Sequence, residues 1–207
     1  ITDNYCIESP LVNYIYVSNP KRLYSLMLKI FYKNISNKMN IIGVIGTNAK
    51  TTITTIGYKF FNSIHKKSML IGSNGIYYSN KVIKTDNTTP NIGIIYKYLN
   101  IAKRLHINYV FMEVSSISVS EYRCLGLEFK VLIYTNFSQD HLDYHKDMEQ
   151  YFLAKCIPFI RHKGISIINI EMKKLVMLLR VMKFMATREL LNQLVLLVQL
   201  SQQQTQH

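Results

Sequence analysis

The chain has 207 residues, 48% of them hydrophobic, with a formal net charge of +13 and a pI near 9.6. That is ample material for a core, enough for one large domain or one and a half small ones. The apolar stretch at 190–200 is interrupted by Asn192, Gln193 and Gln199 and is too short and polar to span a bilayer, and the positive charges form no run of five, so neither a membrane nor a nucleic-acid partner is expected.

Lysine far outnumbers arginine, and Ile, Asn and Tyr are abundant, so the charge reads as coding bias plus a general preference for anionic ligands. Cys6, Cys124 and Cys156 are far apart and make no CxxC pair, which supports neither a disulfide framework nor a zinc site and predicts reduced, cytosolic thiols. No secretory leader is visible, and the chain, opening on Ile-Thr-Asp-Asn without a Met, reads as a fragment.

In chain order, residues 1–20 are irregular. Asn19-Pro20 starts a helix, and Leu23, Leu26, Met27, Ile30 and Phe31 form an apolar stripe at helical spacing. Asn34 to Asn40 is a polar linker. Ile41 to Ile45 is a strand covered on both faces, and Thr51 to Ser63 a helix. Ser68 to Gly72 is a second strand, followed by turn residues Gly75 and Ser79-Asn80. Asn87-Thr-Thr-Pro90 closes an extended stretch, with Pro90 suited to a helix's first position, and Ile92 to Leu105 then reads as a helix. Tyr109–Val114, Val131–Thr135 and 164–170 are further strands. The alternation predicts an α/β class with a mostly parallel, P-loop-like sheet flanked by helices, and ligands at the carboxyl ends of its strands. Met172 to Leu200 reads as one or two amphipathic helices, a helical C-terminal extension, and 201–207 as a disordered low-complexity tail. The domain reading is 1–38 as an N-terminal remnant and linker helix, 39–171 as the central unit, and 172–207 as the tail.

Four segments carry chemistry. In Gly46-Thr-Asn-Ala-Lys-Thr-Thr52 a tight loop joins a buried strand to a helix, so backbone N–H groups, Lys50 and a Thr hydroxyl can meet phosphates and Mg²⁺. Its plain alternative is a strand–turn–helix junction with an exposed lysine. Ala49 stands where such loops have Gly; a left-handed backbone there costs about 1–2 kcal/mol. Glu113, ending a buried strand, is either a Mg²⁺ ligand or a solvated strand terminus. Thr135 to His145 packs Asp140, His141, Asp143 and His145 together, fitting a hard-cation or phosphate site better than zinc, or else a polar loop with an N-capping Asp. Lys155 sits among apolar residues on a predicted helix, where a lysine either snorkels to solvent or, if buried, loses basicity. A neutral amine there can take up CO₂ as a carbamate, an anion able to bind Mg²⁺.

Together, and in this order, these segments resemble the Mur ligases, the ATP-dependent amide-forming enzymes of peptidoglycan synthesis. The runs that carry the resemblance are Asn19-Pro-Lys-Arg22 with Phe31-Tyr32, Gly43 to Thr52, Asn87 to Pro90, Met112 to Ser116, Thr135 to His145 and Tyr151 to Lys155. They span about 17–170 and look most like the members that add the third amino acid to UDP-MurNAc-L-Ala-D-Glu. Folylpolyglutamate synthetases share the architecture.

The resemblance implies a central ATP-binding domain using ATP and Mg²⁺, with UDP-MurNAc-dipeptide and an amino acid as substrates, in a cytoplasmic monomer. It implies that Gly46, Thr47, Asn48, Ala49, Lys50, Thr51 and Thr52 bind ATP and that Lys50, Lys155 and His141 are catalytic. Metal ligands would be Thr51, Glu113, His141 and carbamylated Lys155. Asn87, Thr88, Thr89, Ser115, Glu121 and Arg123 would hold the muramoyl-peptide, with Glu121 where the family usually has Gln. Ile117-Ser118-Val119 departs from the family's His-Ala-Leu. Most of the N-terminal uridine-binding domain and the C-terminal amino-acid-binding domain are expected to be absent. Two other readings are a remnant that at most binds nucleotide and, from another class, a basic nucleic-acid-associated protein.

Overall fold

The computed structural model describes residues 15–140, 143–160 and 162–169. The predicted helices of 172–200 and the tail of 201–207 lie outside them. Helix α1 (Pro20–Phe31) starts where Asn19 accepts a hydrogen bond from the Arg22 N–H, with Pro20 at the first helical position. The sheet strands are β1 (Asn40–Ile45), β2 (Ser68–Gly72), β3 (Gly75–Tyr78), β4 (Lys81–Ile83), β5 (Tyr109–Val114), β6 (Val131–Tyr134) and β7 (Ile165–Ile168). The other helices are α2 (Lys50–Ser63), α3 (Ile92–Arg104), α4 (Ser116–Ser120) and α5 (Met148–Ile160).

The seven strands are ordered β4-β3-β2-β5-β1-β6-β7. Strands β2, β5, β1, β6 and β7 run parallel; β3 and β4 add antiparallel at one edge. Central β1 is apolar without alternation because both its faces are covered: Ile41, Val44 and Ile45 are all fully buried. Register places Ile45 opposite both Val114 and Tyr134, so the C-terminal ends of β1, β5 and β6 finish level. The segments that follow those strands therefore share one edge of the sheet.

Four local readings change. The polar linker contains a 3-10 turn, Ile35–Lys38, whose Ile35 and Ser36 are buried. Gly75 and Ser79-Asn80 belong to a β3–β4 hairpin, with φ of 43° and 62° at Ser79 and Asn80, the left-handed pair that a two-residue hairpin turn needs. Pro90 precedes rather than opens α3; Asn91 caps it by accepting from the Gly93 N–H. On α1 the inward residues are Ser25, Leu28 and Tyr32, and Tyr32 stacks on Tyr96 with centroids 5.4 Å apart. Met27, Ile30 and Phe31, part of the expected apolar stripe, are exposed.

Candidate functional site

The loop Gly46–Ala49 leaves β1 and turns into α2 against the segment that leaves β6. Thr135 Oγ1 donates to Asn48 O at 2.8 Å, Asn48 N donates to Asn136 Oδ1 at 2.8 Å, and Thr47 N donates to Asn136 O at 3.1 Å. A Cβ at Gly46 would collide with Thr135 Oγ1, so this closeness requires glycine. Ala49 has φ 66° and ψ 4°, in the left-handed region, and offers no side-chain cap. The first N–H groups of α2 are thus left without a side-chain acceptor at the loop, where an anion fits. Lys50 Nζ donates to Gly46 O at 3.0 Å and Thr47 O at 2.7 Å, folding the lysine back over its own loop. Burial lowers its pKa, against the opposing charges of Glu113 and Asp140.

Glu113 is fully buried at the end of β5, so it is no solvated terminus. Its carboxylate accepts from Thr51 Oγ1 at 2.9 Å, Ser73 N at 2.9 Å and Ser73 Oγ at 3.1 Å. A side chain at Gly72 would occupy the place of Glu113 Oε1. Thr89 Oγ1 ties the same strand end to the 87–90 loop: it donates to Glu113 O at 2.9 Å and accepts from Ser115 N at 3.0 Å.

Lys155 does not snorkel; it is 1% exposed on the inner face of α5. Its Nζ donates to Thr47 Oγ1 at 2.9 Å and lies 4.1 Å from the Tyr151 ring centroid and 5.6 Å from that of Phe137. Burial, joined by the positive charge of Lys50, brings its pKa down to about 7 from an ordinary 10.5. Thr47 therefore carries both lysines, Lys50 on its carbonyl and Lys155 on its hydroxyl.

These groups meet in one open cleft of about 300 Å³, lined by the whole of Gly46–Thr52 with Ser73, Thr88, Glu113, Ser115, Ser116, Tyr151 and Lys155. Asn87 is exposed beside it, outside the lining residues. Thr89 is buried beneath it and taken up by backbone bonds. Arg123 and Glu121 stand apart from the lining as an ion pair at 2.6 Å, with Arg123 Nη1 on Thr89 O at 3.1 Å and Lys21 on Glu121 at 3.0 Å. Arg123, then Lys21, holds the Glu121 carboxyl below its ordinary pKa. His141 lies outside the described residues. The aspartate that caps the start of α5 is not in 135–145 but just after it: Asp147 accepts from the Gln150 N–H at 2.8 Å.

Three cleft residues had no role from sequence. Ser73 follows β2, and only the β2–β5 pairing brings it to Glu113. Ser116 Oγ is 2.9 Å from Nε2 of buried His145. Tyr151 was visible only as part of a run. For a hard divalent cation, the Thr51 hydroxyl and Glu113 carboxylate are adjacent oxygen donors, a set that suits Mg²⁺ completed by phosphates and water. Among the described residues no three His, Cys, Asp or Glu side chains gather as a metal cage.

Residues 44–189 match the family described as the Mur ligase middle domain. The chain is 40% identical over 144 residues to the UDP-N-acetylmuramoyl-L-alanyl-D-glutamate--2,6-diaminopimelate ligase of Phocaeicola vulgatus, covering 70% of this chain and 30% of that protein. It is 33% identical over 173 residues to the ligase of the same name from Caldanaerobacter subterraneus subsp. tengcongensis, covering 84% and 36%. The chain thus spans about a third of the length of these relatives. A solved structure of a ligase of that name superposes with TM-score 0.70 at 23% identity over 84% of this chain and 36% of that one. A folylpolyglutamate synthase of Mycobacterium tuberculosis, solved with ADP and AMPPCP, superposes with TM-score 0.60 at 13% identity over 80% and 45%. At these identities the structural likeness is one of fold.

Proposed function

Since the chain belongs to the Mur ligase family through its middle domain, we propose that it carries the ATP site of a ligase of peptidoglycan precursor synthesis, one that joins the third amino acid to UDP-MurNAc-L-Ala-D-Glu. The observation that carries this reading is the convergence of the Gly46–Thr52 loop, Glu113 and Lys155 on one cleft. The names of the two relatives support the choice of reaction. Residues 39–171 form the nucleotide-binding unit, and the setting is cytoplasmic and monomeric. Among the described residues no helix is long and apolar enough to cross a membrane.

In this reading the loop N–H groups and Lys50 hold the phosphates of ATP, which requires Lys50 to exchange its loop carbonyls for phosphate oxygens. Thr51 and Glu113 would hold Mg²⁺, which would supply charge neutralisation at the transferring phosphoryl group. The muramoyl-peptide carboxylate attacks the γ-phosphate, giving an acyl phosphate and ADP. The amine of the incoming amino acid then displaces inorganic phosphate and loses a proton, forming the amide. Thr88 and Ser115 face the peptide from the cleft wall, Asn87 flanks it, and Thr89 with Arg123 and Glu121 braces that wall. Lys155, neutral for much of the time near its lowered pKa, is set to take up CO₂ as a carbamate and add an anionic oxygen ligand to the cleft.

A second reading has its own support: left-handed Ala49 favours a domain that binds nucleotide without ligating. Calorimetry with ATP in EDTA tests what the two share. The chain binds, and Lys50→Ala weakens binding about tenfold or more, the loss of one charge-assisted contact; no binding, or equal binding by Lys50→Ala, overturns the site. Release of ADP on adding Mg²⁺ and UDP-MurNAc-dipeptide separates the ligase from the remnant.

A further inference from the structure

Charges scattered along the sequence are gathered by the topology. The five parallel strands all start at the sheet edge opposite the cleft. Because β3 runs antiparallel to β2, the Ser79-Asn80 turn lies at that edge too. In order across the sheet the edge carries Lys81, Lys66 with Lys67, Arg104, Lys38 and Lys130, all of them exposed. At the usual strand spacing, the five steps from β4 to β6 make this row roughly 25 Å long.

The row is little neutralised. The ion pairs among the described residues involve Lys21, Lys29 and Arg123, none of them in it. Glu128, near the start of β6, is engaged by Lys29 at 3.1 Å. The other described acids lie in segments that follow strand C-termini or open α5, at the cleft side. Helix dipoles account for part of the pattern, since Lys66 and Lys67 follow the end of α2 and Arg104 closes α3. They do not account for Lys81 or Lys130, which sit at or just before strand starts. Apolar side chains stand at the same edge: Ile64 and Leu105, the residues capping α2 and α3, are 44% and 38% exposed, and Phe60, one turn before Ile64, is 57% exposed.

We propose that this edge docks on an anionic lipid surface, with the row on headgroup phosphates and Phe60, Ile64 and Leu105 in the interfacial layer. Lysine suits such a surface, which asks for point charges rather than bidentate forks. A nucleic-acid strand is less well served, because Lys66 lies over the two rings beside it, 6.0 Å from the Phe61 centroid and 5.7 Å from that of Tyr109, where bases would stack.

Co-sedimentation of the 207-residue chain with phosphatidylcholine vesicles, with and without phosphatidylglycerol, tests this. Binding is expected only with phosphatidylglycerol and is lost at about 0.5 M salt. The variant Lys66→Glu/Arg104→Glu/Lys130→Glu is expected to bind about 100-fold more weakly. A second set, Lys38→Glu/Lys67→Glu/Lys81→Glu, is expected to fall likewise, whereas Lys84→Glu/Lys146→Glu, at the cleft side, stays within about twofold of wild type. The proposal is overturned if the chain ignores the anionic vesicles, if either row variant binds as wild type, if the cleft-side variant loses as much, or if a single-stranded RNA strips the chain from the vesicles.

Discussion

Thr51, in the first turn of α2, donates its hydroxyl hydrogen to Glu113 Oε2 at 2.9 Å, at the end of β5. The two residues are 62 positions apart, and each alone has an ordinary explanation, a helix-start threonine and a strand-end acid. Joined, they form an oxygen pair beside the phosphate loop. If they hold the divalent cation, Glu113→Gln removes the Mg²⁺-dependent part of ATP affinity, about tenfold, and leaves affinity in EDTA unchanged. Paired titrations with and without Mg²⁺ check this; an equal loss in both would make Glu113 merely structural.

Ala49→Gly is expected to stabilise the chain. Ala49 sits at φ 66°, where a Cβ costs about 1–2 kcal/mol. Glycine gives part of this back as unfolded-state entropy. A net gain of about 1 kcal/mol corresponds to a melting temperature about 2–4 °C higher, read by calorimetry. A lower melting temperature would mean that the loop does not strain Ala49.

Gly46→Ala has the opposite sign. The added Cβ meets Thr135 Oγ1, which is itself held on Asn48 O at 2.8 Å. Over-packing of this kind costs about 1–3 kcal/mol. Urea denaturation should show that loss, and nucleotide binding should fall with it. The double variant Gly46→Ala/Thr135→Ala should recover part of the stability, which a clash elsewhere in the loop would not allow.

How far the sequence carried depended on the range of the interaction. The buried strands β1, β2, β5 and β6 and the helices α2, α3 and α5 were legible because their signals are local: continuous apolar runs, helical spacing, and punctuation by Pro and Gly. The β3–β4 hairpin was not, since strands of four and three residues are too short to show alternation. On α1 the spacing announced a helix but not which stripe faces inward. Ser25 is buried there because its hydroxyl donates to Lys21 O and reaches Tyr122 O at 2.9 Å, a partner 97 residues away. The same holds in the cleft. The phosphate loop reads directly, while Ser73 on Glu113 and Lys155 on Thr47 are contacts created by strand order and helix packing.

Lys155 gives the last prediction, in which pH sets the sign. Its pKa of about 7 in the folded chain lies below the ordinary 10.5 of the unfolded one, so between those values the unfolded chain binds more protons. Stability then rises with pH across that window, by up to about 1.4 kcal/mol per pH unit for one proton. Below pH 7 the full cost of burying the charged lysine is present, and above 10.5 it is gone. Lys155→Met, which fills the same space without titrating, should therefore be more stable than wild type at pH 6–7, with the gap closing as pH rises toward 10. Urea midpoints for both proteins at several pH values measure this. A gap that stayed constant would mean that the Tyr151 face and the Thr47 hydroxyl hold the ammonium as well as water does.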